Sequence, residues 1–166
     1  MYDYRPKINI EKASYQKICN WLGYGIFILG IIVSIGSLPF LPDSVPIHFN
    51  IAGEADGWGS KYFLLLLPII GVVTTLAVEA IENKPHLHNY PARINESNVE
   101  AFYKLSIRTM NLTKNATLIV FGLLMLDIVI TAKTSEPFFQ TFILFILIGV
   151  IFGVIIWHLF SMRKIQ

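Results

Sequence analysis

Charge is scarce in this chain and cysteine nearly absent. Asp, Glu, Lys and Arg make up 14% of its 166 residues, against 54% hydrophobic residues. That balance does not suit a soluble globular domain. The single cysteine, Cys19, excludes an internal disulfide and any cysteine-based metal cluster. It reads as a small buried residue at the inner end of the first span, with lipidation or redox sensing as alternatives. No HExxH zinc motif and no GxSxG nucleophile elbow occurs. No Ser/Gly linker or low-complexity tract divides the chain, and no internal repeat suggests a transporter built from inverted halves. A net charge of +2 gives no basis for a nucleic-acid partner.

What is abundant is apolar sequence, gathered into four runs at about residues 21–38, 62–81, 116–132 and 138–160. Each approaches the ~20 residues that an α-helix needs to cross ~30 Å of hydrocarbon. Transmembrane barrels require alternating polar and apolar positions, and Phe63-Leu64-Leu65-Leu66-Leu67 does not alternate. The expected fold is all-α: an integral membrane four-helix bundle, one domain over residues 1–166, in contact with the lipid bilayer. The first run starts well inside the chain and ends in Leu38-Pro39-Phe40-Leu41-Pro42 rather than small residues, so it reads as a retained anchor and not a cleaved signal.

Lys and Arg set the expected orientation. Eleven of the 13 lie before run one, between runs two and three, or in the tail; only Lys61 and Lys133 fall in the other two loops. By the positive-inside rule both termini are cytoplasmic and the loop after run one faces outward. In the inner loop, Pro85 and Pro91 keep residues 84–91 from forming a helix. Ser97 followed by Glu100 reads as a capping box. Beyond it Val99, Phe102, Ser106 and Met110 share one face and Glu100, Lys104 and Arg108 another. This predicts an amphipathic cytoplasmic helix leading into the third span, either a solvated connector or a docking surface.

Most of the residues suited to specific recognition are packed into the outer loop. Pro39, Pro42 and Pro46 stiffen its start, and Gly53, Gly57 and Gly59 suit tight turns. Between them stand His48, Asn50, Glu54, Asp56, Ser60 and Lys61, with Phe49, Ile51 and Trp58 able to dip into the interface. The loop is expected to be an ordered cap anchored by Trp58 and Phe49. Its candidate ligand- or partner-binding residues are His48, Phe49, Asn50, Glu54, Asp56, Trp58, Ser60 and Lys61. His48, Glu54 and Asp56 include metal-competent groups, but their spacing matches no closed motif, so hydrogen-bonded turns are the default. Ser60 serves naturally as a helix cap. No catalytic residue, metal or cofactor is assigned. His86-Leu87-His88 falls on the other side of the membrane.

Two carboxylates lie within the spans. Glu79 is expected to snorkel or to pair with Lys84. Asp127 lies deeper, where an unpaired carboxylate costs about 2.5–3.5 kcal/mol at the bilayer centre. It should face the bundle, with Lys61 or His48 as partner; proton coupling at Asp127 is the alternative. His158 is expected at an interface. Gly149 and Gly153 form a GxxxG in the fourth span, a weak pointer to a homodimer. The sequons at Asn95, Asn111 and Asn115 read as chance matches on the cytoplasmic side.

The run Leu41-Pro42-x-x-Val45-Pro46-x-His48-Phe49-Asn50-x-x-Gly53-x-x-Asp56-x-x-x-Ser60-Lys61 resembles a prokaryotic membrane family of unknown function. The same module is similar to the N-terminal part of SdpI-type immunity proteins, which protect bacteria from a secreted membrane-active killing peptide. Asn89-Tyr90-Pro91-Ala92-Arg93 is also similar to that family. The resemblance implies a non-enzymatic bacterial plasma-membrane protein whose outer loop meets an extracellular peptide or toxin. The rival readings are a small proton-coupled transporter, or transporter subunit, using Asp127, and an accessory protein that needs a partner chain.

Overall fold

A computed structural model describes residues 5–50, 52, 54–136 and 141–166, without the side chains of 141–144. Ile51, Gly53 and Phe138 lie outside the described residues. The order is α1 (Ser14–Ser37), β1 (Ser44–Phe49), β2 (Ala55–Ser60), α2 (Leu66–Glu82), α3 (Val99–Thr134) and α4 (Thr141–Lys164), with short 3₁₀ turns around the strands and after α2. Four helices are long and apolar enough to span a membrane, matching the four apolar runs. The fold is mostly helical rather than all-α, because the loop after α1 forms an antiparallel pair, β1–β2.

α3 is the central element. Its 36 residues correspond to about 54 Å at ~1.5 Å per residue, against ~30 Å of hydrocarbon. The amphipathic stretch from Val99 is therefore not a separate helix but the first turns of α3, with no break before the apolar part. The Ser97–Glu100 capping box does not form. Asn98 occupies the cap position, Ser97 Oγ donates to Asn95 Oδ1 at 2.6 Å, and Glu100 pairs with Lys104 at 2.6 Å. The Asn95 and Asn98 side chains hold the preceding backbone in turns, and these win over the Ser cap.

Small residues let α1 and α3 approach closely. A Cβ added at Gly30 would lie 2.8 Å from the Gly122 carbonyl oxygen, and one at Gly122 would lie 2.6 Å from that of Ile26. Nothing lies within 4 Å of a Cβ built on Gly149 or Gly153. The glycine contact within this chain is thus α1 on α3, and the α4 GxxxG is left open. Around the seam Phe27, Leu118 and Met125 form a buried cluster.

Two further clusters close the ends of the bundle. At one end Tyr90, Ile94, Val99, Phe102 and Tyr103 pack with Ile8, Ile10, Met162 and Ile165. There the Tyr103 hydroxyl donates to the Pro6 carbonyl at 3.3 Å and Asn98 Nδ2 to that of Gln166 at 3.2 Å. The segments near both termini therefore share this end. At the other end Leu41, Val45, Leu64 and Val129 seat the hairpin on the helices.

Candidate functional site

In the hairpin, Ser44 pairs with Ser60, Val45 with Gly59, Pro46 with Trp58, His48 with Gly57 and Phe49 with Ala55, with irregularities on either side of His48. Gly57 and Gly59 stand in β2 and not in turns. A Cβ on Gly57 would come 2.8 Å from that of His48, and one on Gly59 would come 2.8 Å from Ile47 Cδ1. Glycine is needed there because neighbouring side chains fold across the strand.

The polar residues of the loop hold one another. The His48 ring Nδ1 meets Asp56 Oδ1 in a short contact. Asn50 Nδ2 donates to Glu54 Oε2 at 2.9 Å, while the Glu54 amide donates to Asn50 Oδ1 at 2.9 Å. Lys61 Nζ reaches the Leu41 carbonyl at 3.3 Å and the Asp43 carboxylate at 3.1 Å. Ser60 Oγ accepts from the Tyr62 amide at 3.4 Å and so caps the 3₁₀ turn Lys61–Leu65 that leads into α2, not α2 itself. Glu54 turns to Asn50 while Asp56 turns to His48, so the possible metal ligands are spent on turn geometry. Among the described residues no group of three His, Cys, Asp or Glu side chains is poised to hold a metal.

The anchoring residues differ from expectation. Trp58 is 55% exposed and Phe49 is half-buried, whereas Val45 and Leu41 are buried against α3 and Leu64 of the 3₁₀ turn before α2. Aliphatic side chains seat the cap and leave the Trp58 face outward. Phe40, Ile47, Tyr62 and Phe63, in or next to the hairpin in sequence, are also exposed. This aromatic collar suits the boundary between hydrocarbon and water.

Asp127 is 2% exposed and faces the bundle interior, as expected. The hydrogen bonds of Lys61 and His48 described above go to other groups. Glu79 does not pair with Lys84. Its carboxylate lies 3.1 Å from Lys114 Nζ and accepts the Tyr24 hydroxyl. Lys114 also lies 3.0 Å from Glu82, which in turn meets Lys12 at 2.7 Å. Asn111 Nδ2 donates to Glu82 at 3.0 Å and to Asn20 Oδ1 at 2.9 Å; Asn115 donates to the same Asn20 oxygen at 2.8 Å. Two lysines, two glutamates and three asparagines so form one network joining α1, α2, α3 and the N-terminal segment.

Sequence reasoning missed this network. Its signal is Asn111, Lys114 and Asn115 at spacings of three and four, which places them on one face of α3, opposite Glu79 and Glu82 three apart on α2. Asn111 and Asn115 are buried and hydrogen-bonded, which fits the view that their sequons are chance. His88, whose ring bonds Ser106 at 2.6 Å and the Ile81 carbonyl at 2.8 Å, lies at the end remote from the hairpin. His158 bonds Thr109 across the α3–α4 interface at 2.8 Å.

Comparison with known proteins points to the hairpin region. No solved structure matches the chain. An uncharacterised protein of Archaeoglobus fulgidus is 40% identical over 60 residues, covering 31% of this chain and 33% of that protein. The chain thus spans about a third of the length of that curated relative. Residues 25–72, from mid-α1 through the hairpin into α2, match the family described as Domain of unknown function (DUF1648).

Proposed function

We propose that the chain is a non-enzymatic bacterial plasma-membrane protein that meets an extracellular membrane-active peptide or toxin through the hairpin cap. Both termini are cytoplasmic in this reading, and the cap faces outward. The observation that carries it is the cap itself. Its polar side chains are committed to internal hydrogen bonds while Trp58, Ile47 and Tyr62 stay exposed. A surface held rigid in advance spends little ordering entropy when it binds, and exposed aromatics at an interface suit an amphipathic peptide. The resemblance of the loop motif to SdpI-type proteins favours the same reading, and the family matched over residues 25–72, itself of unknown function, spans the same hairpin. A homodimer through Gly149 and Gly153 of α4 fits the open space at both glycines.

The test is survival. Cells producing the chain should withstand a secreted membrane-active killing peptide at a dose that kills cells without it. Trp58→Ala should abolish protection while the protein remains inserted, and Asp127→Asn should retain it. Equal killing with and without the chain refutes the proposal. Loss with Asp127→Asn but not with Trp58→Ala would move the function to the transporter reading.

A further inference from the structure

At the end remote from the hairpin, a groove of about 360 Å³ runs between residues 10–16, α3 and α4. Arg108 lines it, its guanidinium lying between two rings, 5.2 Å from the Tyr15 centroid and 4.6 Å from that of Trp157. Cation–π contact with both rings holds the guanidinium in the groove, and no hydrogen bond to another described residue occupies its fork of donors. Lys104 lines the same groove, paired with Glu100 at 2.6 Å, and the exposed Glu11 carboxylate stands at its side.

The informative residue is Gln16. It is 5% exposed and lines the groove. Its Oε1 accepts the Ala13 amide at 2.9 Å, closing the start of α1. Its Nε2 is buried and has no hydrogen-bond partner among the described residues. A buried donor left unsatisfied costs about 1–3 kcal/mol, so it calls for an acceptor. The first turn of α1 adds backbone amides and the positive end of a 24-residue helix.

We propose that this groove binds the phosphate of an anionic phospholipid. Arg108 would grip the phosphate in a fork, Gln16 Nε2 would donate to it and Lys104 would add charge. A phosphate offers acceptor oxygens only, which is what an unpaired amide donor beside a guanidinium requires. The membrane is the favoured source because Trp157 sits on α4, whose Ile156 and Phe160 are exposed together along one flank of it and offer an apolar wall for acyl chains. Basic pockets between spans at the interface suit such head groups. The argument is independent of the hairpin reading.

Native mass spectrometry of the full chain in detergent tests it, with phosphatidylglycerol and phosphatidylcholine as probes. Both lipids carry a phosphodiester, but choline cancels its charge beside Arg108 and Lys104, so phosphatidylglycerol should bind about tenfold more tightly or better, as one uncompensated charge near a guanidinium allows. Gln16→Glu keeps the capping oxygen but replaces the free donor with an acceptor, and it should erase the preference without altering helix content. Arg108→Gln should do the same and decides the matter if Gln16→Glu fails to fold. Displacement of phosphatidylglycerol by millimolar inorganic phosphate would place both in one site. Equal binding of the two lipids, a preference that survives both substitutions, or binding of inorganic phosphate with no lipid preference would each overturn the proposal.

Discussion

Lys114 carries an unusual load for one side chain. It is almost fully buried and stands between Glu79 and Glu82. A buried ion pair adds little net stability, yet removing one partner leaves charge stranded and costs about 3–5 kcal/mol. Lys114→Met should therefore lower the thermal midpoint in detergent sharply, and Lys12→Ala much less, since Lys12 is partly solvated. Adding Glu82→Gln to Lys114→Met should recover part of the loss; strictly additive changes would show that the two side chains are not coupled. Tyr90 gives a second test. Burial among Tyr103, Phe102 and His88 pushes its phenol up to about 12. The folded state holds the neutral form, so its contribution is intact below the ordinary value near 10 and is lost as pH rises towards 12. Thermal midpoints should fall across that window. Tyr90→Phe should make the fall shallower, and an unchanged slope would mean that Tyr90 titrates alike in the folded and unfolded chain.

Among the elements, the α1–α3 seam and the hairpin make opposite demands. At Gly122 an added methyl group meets backbone, which cannot rotate away. Gly122→Ala should cost about 1–3 kcal/mol by forcing the helices apart. Gly149→Ala, with open space around it, should leave monomer stability unchanged. A loss of dimer on Gly149→Ala would support α4 association instead. For the hairpin, Val45→Asp should unseat the cap, whereas Trp58→Ala should leave the midpoint nearly unaltered because Trp58 is 55% exposed. Limited proteolysis between Asp43 and Ser60 distinguishes the two. The four spans were legible because run length and hydropathy are local properties of the chain. The strands were hidden because their period-two pattern is interrupted by Pro46, Gly57 and Gly59, and because the pairing depends on contacts across the loop. Trp58 looked like an anchor by residue type, but β1 seats the cap: Val45 and Pro46 are both buried, while Trp58, paired with Pro46, is left exposed. Asp127 could be placed inside the bundle from desolvation cost alone. The Lys114 network could not, since it joins three helices and the N-terminal segment through pairings that no single window contains.

Across the whole molecule, the segments near both termini meet at one end and the hairpin closes the other. Single cysteines at Ile47 and Lys164 in a Cys19→Ala background should react with an impermeant thiol reagent from opposite sides of the membrane, Ile47 from outside. Labelling of both from the same side would overturn the proposed topology. The route between the two ends is α3. It contains no proline, and Gly122 is its single glycine, wedged against Ile26. A helix without a hinge cannot absorb a displacement along its length. Val129 under the hairpin and Phe102 in the opposite cluster are therefore fixed to the same strut. A load that tilts the hairpin end would swing the Glu100–Arg108 stretch as the far arm of a lever, with the Gly30–Gly122 contact as its fulcrum.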